Sequence, residues 1–87
     1  MAQVRLPATL RRMADGQDSV EVTEDTVGHA LRKLENTYPQ LSGWILDERG
    51  NIRRHVAVFL NGERCQGDSA LGEGDEVDVL PAITGGV

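Results

Sequence analysis

The chain has 87 residues, 14 acidic and nine basic side chains, and a formal net charge of -5. That length gives one small domain with a modest core and little room for a deep catalytic cleft. The acidic balance excludes non-specific binding to nucleic acid or to an anionic membrane, which needs clustered Lys and Arg; it leaves a basic protein partner open.

In "QVRLP", Val4 and Leu6 alternate with Arg5, which predicts a half-buried strand stopped by Pro7. "ADGQD" at residues 14–18 is a turn cluster, and "DSVEV" alternates again with Val20 and Val22 inward. The two stretches read as a hairpin. In "EDTVGHALRKLENTYP", Val27, Ala30, Leu31, Leu34 and Tyr38 fall on one face of an α-helix. Asp25 or Thr26 is expected to cap it, and Pro39 to stop it at Tyr38. Arg32, Lys33 and Glu35 occupy the opposite face, expected to be solvated.

After the helix, Leu41, Trp44 and Ile45 are expected to form a short helical turn that lids the core, followed by a loop at "DERGN". "HVAVFL" is a strand, "NG" at Asn61-Gly62 a hairpin turn and "ERC" a short return strand. "ALGEGDE" reads as a turn or short helical loop, and "EVDVL" as a last strand with Val77 and Val79 inward. The order β-β-α-β-β(-β) indicates an α+β fold, a mixed sheet of four to five strands packed on one main helix.

This alternation assigns Val4, Leu6, Val56, Val58, Leu60, Val77 and Val79 to the helix side. The other face then holds Arg5, Ala57, Phe59, Asp78 and Leu80. An open sheet face is normally polar. Phe59 and Leu80, with Pro7, either form an apolar patch that marks a partner site or are scattered exposed residues of no consequence.

Catalytic chemistry finds no support. Neither His29 nor His55 is placed beside Cys65 or a serine with a third group to orient it. The single Cys65 cannot make an internal disulfide, a zinc site or an iron–sulfur cluster by itself, which also excludes a ferredoxin role. Glu73, Asp75 and Glu76 lack the alternating spacing of a calcium loop, so no metal is expected. With no charged leader before an apolar run and no long apolar segment, a cytoplasmic, membrane-free protein is expected. The tail "PAITGGV" would reach roughly 20 Å when extended. Gly85-Gly86 reads either as a frayed end or as a slim thread able to enter another protein's channel.

Taken together, "TVGHALRKLENTYP", "VAVFLNGE" and "LGEGDEVDVLPAITGG" resemble the β-grasp (ubiquitin-like) sulfur carriers of the ThiS/MoaD family. The resemblance covers nearly the whole chain, and "RRHVAVFLNGE" with "PAITGG" is most similar to the CysO-like carriers. It implies a β-grasp domain at 1–80 and a flexible diglycine tail at 81–87. It implies no enzyme activity and no bound cofactor. ATP would be used by a separate E1-like activating enzyme of the MoeB/ThiF type, which adenylates the carboxylate of Gly86, with Gly85 beside it. A sulfur donor then displaces AMP and leaves a thiocarboxylate. A cysteine synthase-like, thiazole synthase-like or molybdopterin synthase large-subunit partner would accept the sulfur. The resemblance places Leu80 and Pro7 at partner contacts, which supports the patch with Phe59, and puts Arg64 where an apolar residue is common; Ile83 and Thr84 are further expected partner contacts. Val87 departs from the pattern, because it turns the Gly86 carboxylate into an amide. Either a metalloprotease cleaves between Gly86 and Val87, or Val87 is an addition to the natural chain. Conjugation to lysines through the diglycine, as a ubiquitin-like modifier, is the alternative function.

Overall fold

The computed structural model describes residues 1–81. Strand β1 (Ala2–Arg5) is followed by a short helix α1 (Ala8–Arg11) and a 3-10 turn at Arg12–Ala14. Strand β2 (Ser19–Val22) leads into the main helix α2 (Val27–Thr37) and a second 3-10 turn at Pro39–Leu41. Strands β3 (Val56–Leu60), β4 (Glu63–Arg64) and β5 (Glu76–Pro81) complete the sheet, whose order is β2-β1-β5-β3-β4. Among the described residues, β1/β5 is the one parallel pair. The α+β class and the mixed sheet match the expectation, with five strands.

The core lies between the sheet and α2. Val4, Val58, Val77 and Val79 supply the sheet side, and Val27, Ala30, Leu31 and Leu34 the helix side. Thr26 is the N-cap: its Oγ1 accepts a hydrogen bond from the His29 backbone N–H at 3.2 Å. Tyr38 leaves helical geometry just before Pro39, as the steric restriction ahead of proline requires. The Asn61-Gly62 turn has φ of 51° and 89°, the pair of positive angles that suits a tight two-residue hairpin.

Three expectations need correction. Strands β1 and β2 do pair antiparallel and the chain turns at Asp15-Gly16 as expected, but the residues after Pro7 are not part of a simple hairpin; they form α1 and a 3-10 turn that bury Leu10 and Ala14. Trp44 does not lid the core; it is 51% exposed while Leu41 and Ile45 are fully buried. Glu35 is not on a solvated face. Its Oε2 accepts from the N–H groups of Ile45 at 3.0 Å and Leu46 at 2.9 Å, which turns those two residues inward and leaves Trp44 outside. Strand β5 runs through Pro81, and the rest of the expected tail, residues 82–87, lies outside the described residues.

The start of α2 rests directly on the loop before β5. Gly28 N–H donates to Gly67 O at 2.7 Å, and Val27 N–H to Ser69 O at 3.0 Å. A Cβ on Gly28 would sit 2.9 Å from the Gly67 carbonyl oxygen. Gly28→Ala therefore sets a helix-propensity gain of up to about 1 kcal/mol against a steric cost of about 1–3 kcal/mol. The expected outcome is a lower urea midpoint with an unchanged slope. An unchanged or higher midpoint would mean that the loop gives way freely.

Candidate functional site

Strand β5 leads to the tail, so its surroundings define the site. Its inward residues Val77 and Val79 are buried in the core, and Glu76, Asp78 and Leu80 face the other way. Cross-strand register builds the outer face in rows. Arg5, Asp78, Phe59 and Arg64 form one row across β1, β5, β3 and β4, and Leu80 faces Ala57 in the next. Arg5 Nε lies 3.4 Å from Asp78 Oδ1, and Arg5 Nη1 lies 3.7 Å from Glu76 Oε1. These pairs are partly exposed and contribute little stability, about 0–1 kcal/mol each. Their effect is to hold the β1 side of the face polar.

The β3 side is apolar. Leu80 is 44% exposed, Phe59 is half-buried, and Ala57 is buried without belonging to the core cluster. The parallel register Arg5↔Asp78, continued two residues, sets Pro7 beside Leu80. Both residues line the same two surface hollows. Phe59, Leu80, Pro7 and Arg64 thus lie at the outer face or its edge, with Arg64 directly across from Phe59. Ile83, Thr84, Gly85, Gly86 and Val87 lie outside the described residues.

One hollow was not foreseen from the sequence. It has a volume of about 290 Å³ and lies between α1, β5 and the loop carrying Trp44. Leu10, Met13, Trp44, Val56, Leu80 and Pro81 give it mainly apolar walls. The available signal was the i, i+4 spacing of Leu10 and Ala14 after Pro7, which marks a helical turn.

The turn that opens β5 is held by side chains. Asn61 Nδ2 donates to Asp75 Oδ1 at 3.0 Å, Glu76 N–H to Asn61 Oδ1 at 2.9 Å, and Gly72 N–H to Asp75 Oδ2 at 2.7 Å. The Asn61 amide, and next the Gly72 N–H, hold the Asp75 carboxyl below its ordinary value near 3.8. Elsewhere, His29 is exposed and bonded to Asp25, whose carboxyl is lowered chiefly by that bond. Burial raises the Cys65 thiol above its ordinary value, the opposite of an activated nucleophile. Among the described residues, no group of His, Cys, Asp or Glu is arranged to hold a metal ion, and no helix is long and apolar enough to cross a membrane.

One helix packed on a mixed five-stranded sheet with a parallel central pair is the β-grasp, ubiquitin-like fold. The ThiS family model matches residues 4–86, and the chain belongs to the ThiS family. It is 36% identical over 89 residues to the sulfur carrier protein CysO of Mycobacterium tuberculosis, covering 95% of this chain and 96% of that one. It is 37% identical over 91 residues to small archaeal modifier protein 3 of Haloferax volcanii, covering 97% of each. Among solved structures, it superposes on the Amycolatopsis orientalis BexX/CysO complex with a TM-score of 0.86 and 25% identity, covering 98% of this chain and 99% of that one.

The lowered Asp75 gives a pH prediction. A carboxyl depressed in the folded state contributes stability that is complete above its unfolded value and fades as pH falls through the folded one. Unfolding followed from about pH 6 to about pH 3 should lose stability more steeply in the native chain than in Asp75→Asn. Parallel profiles would show that the Asp75 carboxyl is not held low in the folded chain.

Proposed function

We propose that this chain is a sulfur carrier whose reacting group is the carboxylate of Gly86, and that it works after whatever follows Gly86 has been removed. The observation that carries the reading is the family match from Val4 to Gly86, which joins the sheet and the diglycine in one unit. The likeness to CysO carriers supports it at both sequence and fold level. A carboxylate acylates poorly. An E1-like enzyme of the MoeB/ThiF type joins the Gly86 carboxylate to the AMP of ATP and releases pyrophosphate. A sulfur nucleophile then forms the C–S bond as the C–O bond to AMP breaks, and the product thiocarboxylate delivers sulfur to a synthase. Val87 lies beyond the matched residues, and its amide bond to Gly86 leaves no carboxylate there to adenylate. A protease of the metal-dependent deubiquitinase-like type is the proposed means of removal.

The outer face around Phe59, Ala57 and Leu80, with Pro7 at its edge, is the proposed contact surface for the activating enzyme and the synthase. CysO in the A. orientalis structure is in a complex with BexX, which supports a partner-bound working state. A second reading rests on the names of other relatives. The small archaeal modifier proteins favour attachment of the same activated glycine to a lysine amine of a target protein.

The test uses the purified activating enzyme, ATP and a sulfur source, with intact-mass readout. The chain ending at Gly86 should exchange one oxygen for sulfur, and the chain ending at Val87 should not. Equal sulfur gain by both would refute the processing step; no gain by either would refute the carrier reading. Isopeptide adducts in cells that vanish on deletion of Gly86 would decide for the modifier. Leu80→Asp should weaken the activating-enzyme complex by roughly tenfold or more with an unchanged circular dichroism spectrum, since a charge replaces an apolar contact. Loss of folding would instead place Leu80 on the core side.

A further inference from the structure

The apolar groove between α1, β5 and the Trp44 loop shares Val56 with a second, smaller hollow of about 120 Å³. This hollow lies along the open edge of β3. Strand β4 pairs only with Phe59 and Leu60, so Val56, Ala57 and Val58 have no strand on that side. The hollow occupies the gap, between β3, the segment 52–54 and the chain leaving β4 at Cys65. At about 30 Å³ per water molecule it has room for a few waters or one carboxylate, and not for a nucleotide.

Its charges are all of one sign. Arg53, Arg54 and Arg64, three of the chain's nine basic side chains, line it, and no acidic residue does. Among the described residues none of the three is in an ion pair. Two acids that would be expected to neutralise them are engaged or turned away. Asp47 feels the charge of Arg53, but its Oδ1 is taken by the N–H groups of Arg49 and Asn51. Glu63 precedes Arg64 in β4 and so points to the opposite face of the strand.

Two donors at the hollow lack partners. Nε of Arg53 is shielded from solvent and unbonded, the one such side-chain atom among the described residues. The Arg53 backbone is anchored on both sides: its N–H donates to Ile45 O at 2.9 Å, and its carbonyl accepts from Val56 N–H at 3.0 Å. The side chain is therefore the part free to turn. The second donor is the N–H of Val58. Val58 O accepts from Cys65 N–H at 3.0 Å, which points both polar groups of Val58 away from β5, and no bond is returned to its N–H among the described residues. Donors left unmet away from water are costly. A carboxylate accepts through two oxygens and can meet a guanidinium fork and a backbone N–H at once.

We infer that this hollow is a carboxylate-binding site. The guanidinium of Arg53, turned into it, and the N–H of Val58 hold the two oxygens, and Arg54 and Arg64 supply the surrounding positive charge. Arg64 also stands across from Phe59 in the outer-face row, so a protein that covers that face reaches the hollow over β4. The carboxylate comes either from an Asp or Glu side chain of such a partner or from a small free acid, and the two arms of the test separate these sources. The sulfur-carrier reading is needed only to name the enzyme in the second arm.

In the first arm, sodium acetate is titrated into the 15N-labelled chain, with chloride holding the ionic strength constant. The Val58 amide and the Arg53 Nε–H signals should move together along one saturation curve. The double change Arg54→Gln with Arg64→Gln should raise the dissociation constant about tenfold. Both arginines are exposed, so this variant should keep the fold. Arg12→Gln, outside the hollow, should leave the constant unchanged. In the second arm, the purified activating enzyme replaces acetate. Movement of the same two signals, with binding about tenfold weaker in the double variant, assigns the carboxylate to a side chain of that partner. Signals that acetate moves and the enzyme leaves in place assign the site to a free acid. Signals that neither moves, or that move equally in the double variant, overturn the inference, as does an equal loss in Arg12→Gln, which would make the effect one of net charge. If the native chain does not bind the activating enzyme, the carrier reading fails while the acetate arm still decides the hollow.

Discussion

The parallel pairing of β1 with β5 is the constraint on which the rest depends. Both strands lie inside the sheet, so both ladders of each are used. The register Val4↔Val77 sets two valines side by side over α2, and both are fully buried. A slip of one residue would turn Val77 and Val79 outward and bury Asp78. Because the pair is parallel, the end of β1 and the end of β5 lie at the same edge. Pro7 and Leu80 become neighbours for that reason, and Pro81 lies at the corner where the outer face meets the groove.

Side chains do elsewhere what regular structure does in the sheet. Between Leu41 and Val56 there is no strand or helix, only the isolated bridge Leu46↔Ile52. The backbone N–H groups there still need partners. Glu35 supplies two, and Asp47 Oδ1 accepts from Arg49 and Asn51, a pattern that lowers its carboxyl. Asn61 and Asp75 tie the β3–β4 turn to the turn that opens β5. Long-range acceptors of this kind fix two loops that packing alone would leave free to shift.

The difference between these two kinds of anchor explains what the sequence revealed. Alternation and the 3.6-residue period come from burial, so the strand faces around Val4, Val58 and Val77 and the apolar stripe of α2 could be read directly. Thr26 and Asn61-Gly62 could also be read, because a cap and a tight turn are local chemistry. Glu35 could not. Its partners are 10 and 11 residues away, and its position on the helix wheel looks solvated. Trp44 is not legible for the same reason, since apolar character says that a residue favours burial but not that its neighbours Leu41 and Ile45 already fill the site. The groove is not legible in the sequence because it joins α1, β5 and the Trp44 loop, which no single stretch brings together. The outward positions of Phe59 and Leu80 could be read because register is a property of strands.

On the proposed carrier reading, the diglycine end separates recognition from reaction. Two glycines present no side chain to a partner, so they can add shape and backbone hydrogen bonds but almost no apolar burial. Any affinity must come from the folded part of the chain, within the reach of the tail. The outer face alone is a modest source, because the row Arg5–Asp78–Phe59–Arg64 is mostly charged and only Leu80, Ala57 and Phe59 offer apolar area. Burying that row would leave the Arg5–Asp78 pair largely self-satisfied but would require a partner group for Arg64. An enzyme built for an apolar residue at that position would strand the guanidinium. On the proposed carrier reading, Arg64 would act as a filter, costing little in water and penalising any partner that brings no acceptor to meet it.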